Sequence, residues 1–195
     1  MNPVLRQNVF FVKEHVGMFK AAHEFDVLDP ASGAKLLECR EPHLGKLTKV
    51  LRFTDSKRMT PFELVVCTPD GTPVLKVKRG VSFFLSKVQV FDAEDRYLGG
   101  FHQKAFSIGG RFDVLDAAGA QVCTLSGKFA SWEFRFFSPT RDFATVTKKW
   151  AGLGKELFTS ADAYVLAIQD SVAADDPVRP LIVAAVLVID LVLKE

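Results

Sequence analysis

Short apolar runs alternating with tight polar breaks occupy the chain from Asn8 to about Ile168, and one long apolar run follows near the end. The first pattern is that of strands and turns. Four stretches share one layout: Phe25 to Cys39 (FDVLDPASGAKLLEC), Phe62 to Val77 (FELVVCTPDGTPVLKV), Val88 to Phe101 (VQVFDAEDRYLGGF) and Phe112 to Leu125 (FDVLDAAGAQVCTL). In each, a strand of Phe, Val and Leu meets a turn containing Asp, and a second strand leaves it. Asp hydrogen-bonds the backbone of its own turn and Gly supplies positive φ, so each stretch reads as a β-hairpin. Trp132 to Trp150 (WEFRFFSPTRDFATVTKKW) is a fifth unit, with Ser138-Pro139 in the turn.

Two segments break this rhythm. His43 to Arg58 (HLGKLTKVLRFTDSKR) is basic, and Leu44, Leu47, Val50 and Leu51 stand at helical spacing, which fits a short helix or a long loop. Gln169 to Pro180 is polar, and its Asp175, Asp176, Pro177 and Pro180 suit a linker and a helix start. The run from Leu181 to Glu195 (LIVAAVLVIDLVLKE) opens with nine consecutive apolar residues. As a helix, Leu181 to Leu193 spans about 20 Å, short of the ~30 Å hydrocarbon core of a bilayer. It also carries Asp190, which is costly in lipid. A helix apolar all round must be buried in a membrane or in a protein centre. With strands preceding it, the simplest packing places it inside a closed sheet, which also removes exposed strand edges. Asp190 then needs a hydrogen-bond partner or an exit to solvent at the barrel mouth.

Composition supports this picture. Eighteen Phe against two Trp and two Tyr, within 195 residues of which 48% are hydrophobic and 25% charged, describe a packed globular chain, expected as one domain over residues 1–195. The net charge of +2 is too small for bulk attraction to nucleic acid, which is not expected as a partner. Cys39, Cys67 and Cys123 are far apart and odd in number, so a reducing compartment fits better than a disulfide framework or a zinc site. No signal peptide or lipidation pattern is legible, and the expected location is the cytoplasm, including the periphery of a membrane.

The run Thr147 to Val165 (TKKWAGLGKELFTSADAYV) has Lys-Lys-Trp, a Gly two residues on, a Glu, and then Phe-Thr. This resembles the signature of the phospholipid scramblase family, and Leu187 to Glu195 (LVIDLVLKE) is similar to that family's closing segment. The repeated hairpins also resemble the wider Tubby C-terminal-like superfamily, including the LURP-one-related proteins. The resemblance implies a mainly β fold: a closed antiparallel barrel of about twelve strands, threaded by a central hydrophobic C-terminal helix. It also implies a lipid-related role, with phospholipid or phosphoinositide headgroups as candidate partners. The chain departs from the animal scramblases in lacking their Pro-rich N-terminal region and cysteine cluster. Where their proposed calcium loop has acidic residues, this chain has Ser160 and Asp162. Calcium takes six to eight oxygens, so Asp162 is a weak metal candidate and no metal or other cofactor is expected.

No catalytic set is apparent. His15, His23, His43 and His102 are scattered, and the three cysteines sit in apolar strands, where Cys acts as a small hydrophobe. Gly99-Gly100 and Gly109-Gly110 lack the context of a phosphate loop and suit bends or bulges. The candidate binding residues are basic. Lys76 and Lys78 alternate with Leu75 and Val77, so the lysines share one strand face, and Arg79 prolongs the basic end. Lys148 and Lys149 beside Trp150 form a second cluster. Lys46, Lys49, Arg52, Lys57 and Arg58 form a third. Basic groups beside an aromatic suit an anionic headgroup at a bilayer surface. The expected function is therefore non-enzymatic binding of lipid headgroups, or of another partner, through the outer barrel. Lipid translocation by the terminal helix and an enzyme site in the barrel mouth are the alternatives.

Overall fold

Each expected hairpin forms, and the hairpins join into one closed sheet. The computed structural model describes residues 1–15, 24–42, 61–81, 86–104, 110–128, 132–148 and 163–193, with the side chains of 188, 190, 191 and 193–195 outside the description. A 3-10 turn over Pro3–Arg6 precedes twelve strands. These are β1 (Val9–Glu14), β2 (Glu24–Leu28), β3 (Lys35–Arg40), β4 (Phe62–Cys67), β5 (Pro73–Arg79) and β6 (Lys87–Asp92), then β7 (Tyr97–Gln103), β8 (Arg111–Asp116), β9 (Gln121–Lys128), β10 (Glu133–Phe137), β11 (Asp142–Thr147) and β12 (Ala163–Ile168). Helix α1 (Val178–Leu193) follows. Every strand pairs antiparallel with its sequence neighbour, and β1 closes the barrel on β12 with Val9 opposite Ala167 and Phe11 opposite Val165. No edge is left open.

The turns work as their composition demands. Asp29 Oδ1 accepts from the backbone N–H of Ala31 and Ser32, and Asp116 Oδ1 accepts from those of Ala118 and Ala120. Gly33, Gly71 and Gly119 supply the positive φ that these tips require. The Gly99-Gly100 pair marks a bulge, since the β6–β7 register shifts between Val90 and Phe91 and leaves Leu98 without an opposite number. Gly99 has φ 142°, and a Cβ there would strike the Leu115 carbonyl of β8. Gly109 and the basic segment 43–58 lie outside the described residues.

The core is the barrel interior. Alternate strand residues such as Phe10, Phe25, Leu64, Val77, Phe101, Val114 and Phe136 point inward and form one cluster with α1. Every residue from Val178 to Leu187 is buried, so the helix is enclosed all the way round. The terminal apolar run is thus a core element, as its length had suggested. Asp190 itself lies among the side chains outside the description.

The helix starts from an anchored end. Asp176 Oδ1 accepts from the Val178 N–H at 2.9 Å, satisfying one donor of the first turn. Arg179 is 1% exposed, and its guanidinium donates to the carbonyls of Val172, Ala173, Leu5 and Gln7 and to Asn8 Oδ1. One side chain therefore ties the helix start to the chain just before it and to the segment leading into β1. Burial draws the Arg179 pKa below the usual arginine value, and Asp176 offsets part of that. Sequence reading placed this segment in a linker and did not single out Arg179.

Candidate functional site

Strand alternation decides where the candidate residues point. Lys76 and Lys78 lie on the outer face of β5, while Leu75 and Val77 are buried inside, as expected. The register places Lys76 opposite Phe91 of β6, and Phe91 opposite Tyr97 of β7. Phe91 and Tyr97 rings lie 5.6 Å apart, and Lys78 Nζ stands 5.6 Å from the Phe91 ring centre. Tyr97 is 38% exposed. Gly100 is buried, and a Cβ there would strike the Val88 carbonyl of β6 and come within 3.4 Å of the Tyr97 hydroxyl. The result is two lysines beside two aromatic rings on one outer face. Each lysine has a carboxylate neighbour: Lys76 with Asp95 at 2.7 Å, and Lys78 with Glu63 at 3.2 Å. Asp95 is held below the usual carboxylate range mainly by its hydrogen bond from Lys76. Such exposed pairs contribute little, about 0–1 kcal/mol, and yield readily to a competing anion.

Arg79 is placed differently. It is 4% exposed, follows the inward phase of Leu75 and Val77, and lies 4.7 Å over the Phe62 ring. It does not share the outer face of Lys76 and Lys78. Of the second basic cluster, Lys148 lies 4.3 Å over the Trp132 ring, which stacks on Tyr164 at 5.4 Å. Trp132 adopts φ 50°, a left-handed conformation rare outside glycine, and this turns its ring against the core. Nothing in the sequence signalled that turn. Lys149, Trp150 and Asp162 lie outside the described residues.

A further charged group occupies the outer face of β2 and β3. Asp26 accepts from Arg40 at 2.9 Å, pairs with His15 at 2.7 Å, and has Lys35 at 3.2 Å. Burial pushes the Asp26 pKa up, but the hydrogen bonds from His15, Arg40 and Lys35 outweigh it and hold the carboxyl below the ordinary 3.8. A depressed carboxylate stabilises the fold above its unfolded pKa, and that contribution is lost as pH falls through the folded value. Urea titrations of the native chain and Asp26→Asn should therefore differ by about 1–2 kcal/mol at neutral pH. The gap should begin to close as pH falls below the ordinary carboxyl value of 3.8 and vanish once pH passes the lower folded value. A gap that persists at lower pH would show that Asp26 acts by packing instead.

At the end of the barrel where α1 enters, a pocket of about 1070 Å³ opens among the β4–β5, β6–β7 and β8–β9 tips and the helix start. Its floor is apolar, formed by Leu5, Val74, Leu98, Val122 and Leu181, so the helix does not fill the barrel to this mouth. Among the described residues that line it there is no His, Cys or Ser. Buried Cys39 and Cys123 lie in the core cluster, where burial raises both thiols, Cys123 to about 12. Neither is a thiolate at neutral pH. Among the described residues no group of three His, Cys, Asp or Glu is arranged to hold a metal ion, and no described helix is long and apolar enough to cross a membrane.

This barrel can be set beside known proteins. An X-ray structure of a protein from Arabidopsis thaliana is similar with a TM-score of 0.54 at 16% identity, over 94% of this chain and 90% of that one. At that identity the likeness concerns the fold. No curated protein matches the sequence. Residues 13–195 match the Scramblase family, a span that takes in the Lys-Lys-Trp to Phe-Thr run, all but the start of the barrel, and the helix. With a match of that extent and the barrel that goes with it, the chain belongs to the Scramblase family.

Proposed function

We propose that the domain is a non-enzymatic lipid-binding barrel that holds anionic phospholipid or phosphoinositide headgroups on its outer face. The observation that carries this reading is the outward placement of Lys76 and Lys78 beside Phe91 and exposed Tyr97. Lysine ammonium groups attract the phosphate, and the rings suit the interfacial zone where amphipathic aromatics settle. Family membership supports a lipid-related role. Lys148 over Trp132 offers the same pairing of charge and ring and is a second contact in this reading. The buried helix favours surface binding over translocation, since lipid movement by the helix would require the barrel to empty.

Co-sedimentation with vesicles at low salt tests the proposal. The chain should pellet with phosphatidylcholine vesicles containing phosphatidylserine or a phosphoinositide, and stay in solution with phosphatidylcholine alone. Each lysine near an anionic surface contributes roughly 1 kcal/mol, so Lys76→Ala with Lys78→Ala should weaken partitioning about 30-fold. Raised salt should weaken it as well. No pelleting with any anionic vesicle at low salt would end the headgroup reading.

A further inference from the structure

The barrel-mouth pocket has a chemistry opposite to that of the outer lysines. Its volume of about 1070 Å³ is at the upper end of small-molecule sites, and its floor is apolar. Among the described residues, its rim carries Asp92, Glu94, Asp116, Asp175 and Asp176 against Arg96 and the amino group of Met1. Three of the carboxylates are already committed. Asp92 accepts from Arg96 Nε at 2.7 Å and from the turn backbone, Glu94 accepts from Arg96 at 3.1 Å, and Asp176 caps α1 and lies 3.5 Å from Arg141. Arg96 is thereby spent on Asp92 and Glu94. Asp116 uses only Oδ1 in its turn, and Asp175 is exposed with no hydrogen bond or ion pair among the described residues. A ligand in this pocket therefore meets apolar walls below and a net negative charge above. An anionic lipid headgroup is repelled here.

We infer that the mouth is a second binding site, for an organic cation with an apolar body: a protonated amine carrying an alkyl or aryl chain. The chain lies between Leu98, Val122 and Leu181, and the ammonium sits between Asp116 and Asp175. Recognition combines burial of roughly 0.8 kcal/mol per methylene with charge at the rim. The site adjoins the outer face through Tyr97, but none of its carboxylates holds Lys76 or Lys78, so its charge recognition does not rest on the headgroup reading.

Calorimetric titration of the full chain with octylamine, octanol and octanoate separates charge from apolar burial. Octylamine should bind about tenfold or more tightly than octanoate, with octanol between. Asp175→Asn with Glu94→Gln alters only exposed rim groups and should weaken octylamine about fivefold while leaving octanol unchanged. Ala118→Trp, at an exposed turn position on the rim, should block all three ligands. A long-chain amine in phosphatidylcholine vesicles gives the membrane arm: recruitment there assigns the amine to a lipid base, and binding only in solution assigns it to a free amine. The inference falls if octanoate binds as well as octylamine, if Asp175→Asn with Glu94→Gln leaves octylamine affinity unchanged, or if neither amine source binds.

Discussion

Ile182→Asp is expected to leave no folded chain at 25 °C. Ile182 is 0% exposed in the second turn of a helix surrounded by barrel strands, so no rotamer carries a carboxylate to water. The change removes about 2–3 kcal/mol of apolar burial and adds several kcal/mol for an unpaired buried charge or its forced protonation. Together these approach the whole stability of a typical domain, about 5–15 kcal/mol. Ile182→Leu keeps volume and polarity and should cost less than about 1.5 kcal/mol. Far-ultraviolet circular dichroism and urea titration read both variants. A folded Ile182→Asp chain of near-native stability would show that the helix has a wet face and does not fill the barrel.

Arg179→Met is expected to destabilise the chain by about 3–5 kcal/mol while leaving it folded at low temperature. The substitution keeps an unbranched side chain of similar length but removes the donors that satisfy four backbone carbonyls and Asn8. Each buried acceptor left without a partner costs roughly 1–3 kcal/mol, moderated where water can enter. The melting temperature should fall by roughly 10 °C or more on that basis. Arg179→Lys should recover little, since one ammonium cannot reach acceptors that a planar fork reaches on several sides. A loss under 1 kcal/mol for Arg179→Met would mean that the helix start is held by Asp176 and apolar burial alone.

These two residues also show how much of the fold could be read in the sequence. Ile182 was legible, because nine apolar residues in a row leave no polar face and a helix of that kind has to be enclosed. The five hairpins were legible for a comparable reason: each turn carries Asp, Gly, Ser or Pro, whose local hydrogen bonds and φ preferences act within a few residues. Arg179 was not. Its acceptors on Leu5, Gln7 and Asn8 lie more than 170 positions away, and nothing local distinguishes it from a solvated arginine beside Pro180.

The candidate sites divide in the same way. Lys76 and Lys78 could be assigned to one face because strand alternation is local, whereas Arg79 was grouped with them by its charge although that alternation turns it inward with Leu75 and Val77. The adjoining Phe91 and Tyr97 were out of reach, since their position depends on cross-strand register and on the bulge at Leu98. The barrel-mouth pocket was out of reach for a stronger reason. It is made by three hairpin tips, the 3-10 turn and the start of α1, which meet only when β1 closes on β12.

Filling of the barrel by its own helix is the claim on which the surface-binding account rests, and amide hydrogen exchange tests it directly. If α1 is core, the Ile182 to Leu187 amides exchange only when the whole barrel opens, and their exchange free energies equal the unfolding free energy from urea titration. Adding anionic vesicles leaves that protection intact, while amides of the strands that carry Lys76 and Tyr97 respond. Exchange of the helix amides by local opening well below the global value, or their deprotection on vesicle addition, would contradict the account and make the helix the membrane-active element.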